Sequence, residues 1–377
     1  MKRPFLLVVA LALAGLAIIS LQRLRSSEKA PLTLGYVSSL SGRFSALSGS
    51  GRDGAVLAVD KVNDRGGVAG RPLQLSIKDA AFDQDKAAKA VAELARQGVS
   101  AVIGPFASAM ARPMVQVSSE TGMLVVSPTV SSDEFTGKDD LFLRLIPTTA
   151  DYSAALGRHI ARERGVKKLA VLVDTANAAY TASAARFTRE GFLGAGGTDF
   201  AVIEYDSRKS PSIQALAAQA VGARPDGILM ISGPLDTAIM CQHLRLAAPD
   251  MPLFSSTWGM SSELIENGGR AVEGLESVVP FDPESTAPAY QEFVKEFASR
   301  YGRQPDFASM YNYETVMLLA RALDQVPGAK GEELKMIILS HNPHQGLQSP
   351  YTLDRFGDVS RPLYLLTVTD GRLMVRK

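Results

Sequence analysis

The chain has 377 residues, with 40 Lys and Arg against 39 Asp and Glu, and 46% of its residues are hydrophobic. This length exceeds the size at which one hydrophobic core keeps growing, so we expect two domains. The balanced charge excludes an electrostatic field that would favour nucleic acid as a partner. A single cysteine, Cys241, excludes an internal disulfide. No cofactor is expected, and no metal, because a proline interrupts the pair His341 and His344.

The first thirty residues read as an export segment. A basic start, MKRP, is followed by an unbroken apolar run from Phe5 to Leu21, which is typical of exported proteins. The run is short for a bilayer span, and Arg23 and Arg25 stand where cleavage needs small residues. Residues 1–30 are therefore either a signal peptide or an N-terminal membrane anchor. In both cases the rest of the chain faces the periplasm or another extracytoplasmic space, and in the second case residues 5–21 tether it to the inner membrane.

From Leu32 onward, short β-branched runs alternate with amphipathic helical windows, which is typical of parallel sheets covered by helices. The predicted strands of the first series are LTLGYV, PLQLSIKDA, VSAVIGP, GMLVVSP and LFLRLIP. Those of the second series are LAVLVD, FAVIEYD, GILMISG, MPLFSST and GLESVVPF. We therefore predict an α/β fold with two doubly wound, Rossmann-like lobes.

Residues 49–54 read GSGRDG, the G-x-G-x-x-G pattern of a dinucleotide-binding turn. In such a turn the strand ends at the first glycine, whereas the nearest predicted strand, LTLGYV, ends well before Gly49. No acidic strand end follows where a ribose partner would be needed. The pattern therefore indicates a glycine-rich loop leading into the helix AVLAVDKVN, and a nucleotide-binding enzyme is disfavoured.

After the second series come two long helices without a strand between them, then a short helix and a tail of strands, YTLDRFGDVSRPLYLLTVTDGRLMV. The chain is expected to cross between lobes near 147–151, 280–285 and 346–350. Three crossovers make a hinge that restricts motion to opening and closing. The predicted boundaries place 31–148 plus 283–346 in lobe 1, and 149–282 plus 347–377 in lobe 2.

Several loops carry one pattern in order and spacing: SG after the first strand, a Gly-Ala helix, NDRGGVAG, and strand ends VIGP and VVSP. The chain resembles the type I periplasmic solute-binding proteins of the branched-chain amino acid (Leu/Ile/Val-binding) ABC-transporter family. The resemblance covers nearly all of 32–377. It implies a receptor that traps an amino-acid-like or other small carboxylate between two lobes and delivers it to ABC permease subunits. It also implies that the loop with Ser41, Gly42 and Gly49 lines the cleft.

By motif position, the resemblance implies that Ser108, Val130 and Ser131 hold the carboxylate and part of the amino group of the ligand. Ser108 is also expected at a helix start, where a hydroxyl and free amides can hold an anion. The alternative for both serines is helix capping and turn formation, which needs no ligand. Ser41 is left between these two interpretations. Arg43, close by in sequence, is interpreted as a solvated surface residue.

From lobe 2, Tyr180 occupies a position where the family often places a tyrosine that faces the cleft. Thr257 and Trp258 stand where amino-acid binders of the family carry an acid that pairs with the ligand ammonium. Burying an ammonium without such a partner costs several kcal/mol, so an ordinary α-amino acid is in doubt. Trp258 favours an apolar or aromatic body, or a cation at its ring face. Phe106 and Tyr152 are expected to add apolar wall.

Catalysis is not expected, because the serine elbow G-x-S-x-G does not occur. His159 and His243 fall within predicted helices, and no acid and base pair is localised to the strand-end loops. The alternative that stays open is a ligand-sensing module that docks on a signalling partner instead of a permease.

Overall fold

The computed structural model describes residues 30–376. The predicted export segment therefore lies outside the described residues, apart from Ala30. Within the described part, no helix combines the length and the apolar character needed to cross a membrane.

The first sheet has five parallel strands in the order β2-β1-β3-β4-β5. Because parallel neighbours need a crossover connection, helices cover this sheet, and we call the sheet with its helices lobe 1. Its strands are β1 (Leu32–Ser38), β2 (Leu73–Asp79), β3 (Val102–Ile103), β4 (Val125–Ser127) and β5 (Phe142–Arg144). The helices between them are α1 (Ser45–Asp64), α2 (Gln84–Arg96) and α3 (Ala111–Thr121).

The second sheet, with its helices, forms lobe 2. Its parallel strands are β6 (Lys168–Asp174), β7 (Asp199–Tyr205), β8 (Gly227–Ile231), β9 (Leu253–Ser255) and β10 (Glu276–Val279). The helices of this series are α4 (Thr149–Arg162), α5 (Ala178–Gly194), α6 (Ile213–Gly222), α7 (Pro234–Ala247) and α8 (Ser262–Gly268). The order β14-β13-β10-β9-β8-β6-β7 confirms the predicted two doubly wound α/β units.

The last part of the chain serves both lobes. It contains α9 (Pro288–Tyr301), α10 (Phe307–Gln325), α11 (Gly331–Ser340), and strands β11 (Thr352–Leu353), β12 (Val359–Ser360), β13 (Tyr364–Thr369) and β14 (Arg372–Val375). The two long helices of the sequence prediction are α9 and α10, and α10 packs against α1 of lobe 1. Strands β13 and β14 extend the sheet of lobe 2 in the antiparallel sense.

The hairpin of β11 and β12 contacts lobe 1. The Arg144 amide donates to the Gly357 carbonyl at 3.0 Å, and the Gly137 amide donates to Asp358 at 2.7 Å. Just after β12, the buried Arg361 guanidinium pairs with Glu314 of α10 at 2.5 Å. Because the chain pairs with the second sheet only from β13, we propose the third crossover just after Arg361. This differs from the sequence prediction, which placed residues 347–360 in lobe 2.

The glycines of GSGRDG lie inside α1, so the expected glycine-rich loop is wrong at this point. A Cβ atom at Gly54 would lie 2.1 Å from the carbonyl oxygen of Ser309 in α10, whereas one at Gly49 would meet nothing within 4 Å. Gly51 likewise faces Asn312. Gly51 and Gly54 thus let α1 approach α10 closely, which a side chain at either position would prevent.

We expect Gly54→Ala to reduce the free energy of unfolding by about 1–3 kcal/mol, because the added methyl group overpacks the contact with α10. The matched control is Gly49→Ala in the same helix, which should be neutral or stabilising by up to about 1 kcal/mol, since alanine loses less backbone entropy. Urea unfolding at neutral pH measures both. Equal stabilities of the two variants would contradict the packing role of Gly54.

Candidate functional site

A cavity lies between the two lobes. Most of its wall comes from loops that follow the carboxyl ends of parallel strands, which is where doubly wound sheets bind ligands. Its lining residues are Phe106, Ala107, Ser108, Thr129, Ser131, Ile146, Tyr152, Asn177, Tyr180, Thr257, Trp258 and Phe307. We call it the interlobe cavity.

Ser108 begins the short 3-10 turn Ser108–Met110 that leads from β3 into α3. Its side chain is buried, with 3% exposure, and its hydroxyl has no hydrogen-bond partner among the described residues. The neighbouring Ala109 amide donates across the lobes to Asn177 Oδ1 at 2.9 Å. The Ser108 hydroxyl is therefore without a protein partner at the cavity wall, while Asn177 of lobe 2 accepts from the adjacent amide. The binding role of Ser108 stays a prediction.

The loop after β4 contributes Thr129 and Ser131 to the cavity, with Val130 behind them. The Ser131 Oγ accepts a hydrogen bond from the Tyr152 hydroxyl at 2.6 Å. Val130 is fully buried, and its amide donates to Ser127 Oγ at 3.0 Å. Ser131 and Tyr152 lie in the cavity wall, and their part in binding stays a prediction. Val130 is not among the lining residues, and its amide already has a partner.

Two phenols of lobe 2 lie side by side at the interlobe cavity. Tyr152 of α4 and Tyr180 of α5 lie close enough for their hydroxyls to interact, and the Trp258 amide donates to the Tyr180 oxygen at 3.4 Å. Burial raises the pKa of both phenols above the ordinary value. Both groups therefore stay protonated at neutral pH and act as uncharged hydrogen-bond donors.

Thr257 and Trp258 follow β9 and form an apolar wall. The Thr257 hydroxyl donates to the Val278 carbonyl at 3.0 Å, so this side chain is held within lobe 2. The Trp258 ring packs edge-on against Tyr180, with centroids 5.9 Å apart, and against Phe44 of lobe 1 at 5.6 Å. The single indole thus contacts aromatic rings of both lobes.

The charge of the interlobe cavity distinguishes it from a typical amino-acid site. Among the described residues that line it there is no Asp, Glu, Lys or Arg. A carboxylate can still be held there, because neutral hydroxyl donors form strong bonds with an anion. A buried ammonium would have no carboxylate partner in this cavity, which is costly.

A second cavity lies behind Trp258 and Phe106 and shares both side chains with the first. Leu47 and Glu263 also line it, and Arg43 of lobe 1 pairs there with Asp236 of lobe 2. Arg43 is exposed, as its interpretation as a surface residue requires, but its ion pair with Asp236 across the lobes was not predicted. No local signal in the sequence indicates this pair, because the two residues are 193 positions apart.

Ser41 lies outside both cavities. Its side chain is exposed and hydrogen-bonds to Asp79, whose carboxylate also accepts from the amides of Leu40 and Ala81. These contacts lower the pKa of Asp79 against the opposing effect of its burial. Asn177 and Phe307, by contrast, line the interlobe cavity without having been predicted.

Comparison with known proteins places these features in context. A family model described as periplasmic binding protein matches residues 31–372. A Leu/Ile/Val-binding protein homologue from Brucella suis is 25% identical over 364 residues, covering 94% of each chain. Among solved structures, a leucine-binding protein from Thermotoga maritima has a TM-score of 0.84 at 21% identity, covering 92% of this chain and 98% of its own.

A second solved structure is an ABC-transporter solute-binding protein from R. palustris in complex with benzoate. It has a TM-score of 0.82 at 19% identity, and the match covers 92% of this chain and 95% of that one. At these identities the solved structures establish the shared fold, and the sequence prediction of that fold is confirmed.

We expect Ser108→Ala to weaken the binding of a small carboxylate such as benzoate by roughly 1–3 kcal/mol, as for a lost hydrogen bond to a charged group. The matched control is Ser119→Ala, because Ser119 lies on the exposed face of the following helix and bonds only to the Val115 carbonyl at 3.1 Å. Isothermal titration calorimetry gives both dissociation constants. An unchanged constant for Ser108→Ala would leave this serine with a structural role alone.

Proposed function

Because the chain belongs to the periplasmic binding protein family, we propose that it is an extracytoplasmic receptor that traps a small carboxylate between its lobes and delivers it to an ABC permease. The observation that carries this proposal is the interlobe cavity, whose walls come from both lobes and contain neutral donors but no charged side chain. The family implies the extracytoplasmic location.

The hydroxyls define the carboxylate end of the proposed solute. Ser108 has a free hydroxyl, and the Ser131 and Tyr152 hydroxyls form one hydrogen-bonded pair at 2.6 Å. Because the Tyr152 hydroxyl donates its proton to Ser131 Oγ, the Ser131 hydroxyl can direct its own proton to an anion, and no buried cation is required. Val130 lies directly behind this wall and positions Ser131 through the backbone.

The apolar residues define the body of the solute. Trp258 and Phe106 form one side, with Ile146 and Phe307 near the hinge. These surfaces favour an aromatic or branched aliphatic group. The benzoate complex of the R. palustris protein supports an aromatic acid. A solute with an α-ammonium group is disfavoured, because the cavity offers it no carboxylate partner. A binding protein of similar fold from Streptococcus pneumoniae was solved in complex with isoleucine.

Binding and closure are coupled in this proposal. A solute that touches Ser108 of lobe 1 and Tyr180 of lobe 2 makes its full set of contacts only when the lobes are closed, so it shifts the population towards the closed form. The permease subunits would recognise that form. The proposed receptor carries out no chemical step on its solute. We therefore expect mass spectrometry to show that benzoate recovered after incubation with the protein is chemically unchanged.

We expect benzoate to raise the melting temperature and benzamide, its neutral counterpart, to leave it unchanged. A solute at a hundredfold excess over its dissociation constant stabilises the protein by about 2.7 kcal/mol. A thermal-shift panel with benzoate, benzamide, 3,4-dihydroxybenzoate and L-isoleucine measures this preference. A stronger shift with L-isoleucine than with benzoate would contradict the absence of an ammonium partner, and a shift with benzamide alone would contradict the carboxylate site.

A further inference from the structure

One ion pair joins the lobes on the far side of Trp258 from the interlobe cavity. Arg43 lies in the loop between β1 and α1 of lobe 1, and Asp236 lies in the first turn of α7 in lobe 2. The Arg43 side chain is 36% exposed, whereas that of Asp236 is only 2% exposed. The two partners therefore differ sharply in their access to water while they are in contact.

Asp236 depends on Arg43 as its partner across the lobes. Within the described part of the chain, the guanidinium of Arg43 is the only hydrogen-bond donor to this carboxylate. Burial raises the pKa of Asp236, and the nearby buried Asp174 raises it further. Lobe 2 alone thus offers the carboxylate no compensating charge, and separation of the lobes would remove its single partner.

From this asymmetry we infer that Arg43 and Asp236 form a latch that makes closure of the lobes depend on both side chains. Closing the cleft without Arg43 would bury an unpaired carboxylate, which is strongly unfavourable. Closing it without the charge of Asp236 leaves Arg43 partly in water, which costs less. Glu263, the other carboxylate of the second cavity, has no ion-pair partner within residues 30–376 and is partly exposed.

The latch differs from a direct contact between Arg43 and the solute. If the role of Arg43 were to bind a solute carboxylate, removing the charge of Asp236 would only free the guanidinium. In a chain that already lacks Arg43, that change could then restore nothing. If Arg43 neutralises Asp236, then removing the charge of Asp236 should restore closure in a chain that lacks Arg43. The double variant therefore separates the two roles.

The test measures closure without any solute. Asp133→Cys and Arg186→Cys place cysteines at a partly exposed ion pair between the β4–β5 segment of lobe 1 and α5 of lobe 2. A short bis-maleimide joins the two cysteines only when the lobes approach. The native Cys241 is fully buried and does not compete. The cross-linking rate is compared in this background for R43M, D236N and R43M/D236N.

We expect R43M to slow cross-linking about tenfold, as for the loss of one partner of a buried charge pair, and R43M/D236N to return to within roughly threefold of the background. D236N alone should have the smaller effect of the two single changes. The matched control is R300M, because Arg300 is similarly exposed, at 43%, but pairs with Asp60 inside lobe 1. An unchanged rate for R43M, or a double variant no faster than R43M, would overturn the latch.

Because the readout needs no solute, failure of the carboxylate proposal would leave this result unaffected.

Discussion

The structure depends on the constraint that the carboxyl ends of two parallel sheets face one another across a hinge. Loops at those ends are free of the hydrogen-bond ladder, so their hydroxyls, amides and rings can point into the gap. The cavity wall accordingly begins a few residues after β3, β4 and β5 on one side, and after β6 and β9 on the other. Each lobe supplies only part of the cavity wall, and the site is complete only when both lobes meet.

Desolvation explains how the two cavities differ in chemistry. The interlobe cavity excludes charged side chains and uses hydroxyls that remain neutral when buried, so an incoming carboxylate brings the only charge. The second cavity holds Arg43 and Asp236, which compensate each other between lobes. Trp258 and Phe106 separate these environments. In the interlobe cavity the charge would come from the solute, whereas in the second cavity it belongs to the ion pair between the lobes. The apolar side chains of Trp258 and Phe106 lie between these two sets of charges.

The sequence predicts the fold well because strand and helix patterns are local. Short β-branched runs such as those of β6 and β8 are buried on both faces, and that burial gives them their composition. The sequence also predicts much of the cavity wall, including Ser108, Tyr180 and Trp258, because strand-end loops are local too. It does not predict that Ser41 hydrogen-bonds to Asp79, or that Arg43 forms an ion pair with Asp236. Those contacts depend on how distant segments approach, as does the contact of Gly54 with Ser309.

Trp258 is the only tryptophan in the chain, and it lies between the two lobes with 7% exposure. The long-wavelength fluorescence of the whole protein therefore originates at one ring, between Tyr180 and Phe44. Opening of the cleft would expose the indole to water and shift its emission to longer wavelength. A solute in the adjacent cavity would exclude water from the indole and so prevent that shift. The protein thus contains a built-in optical reporter at the point where its two halves meet.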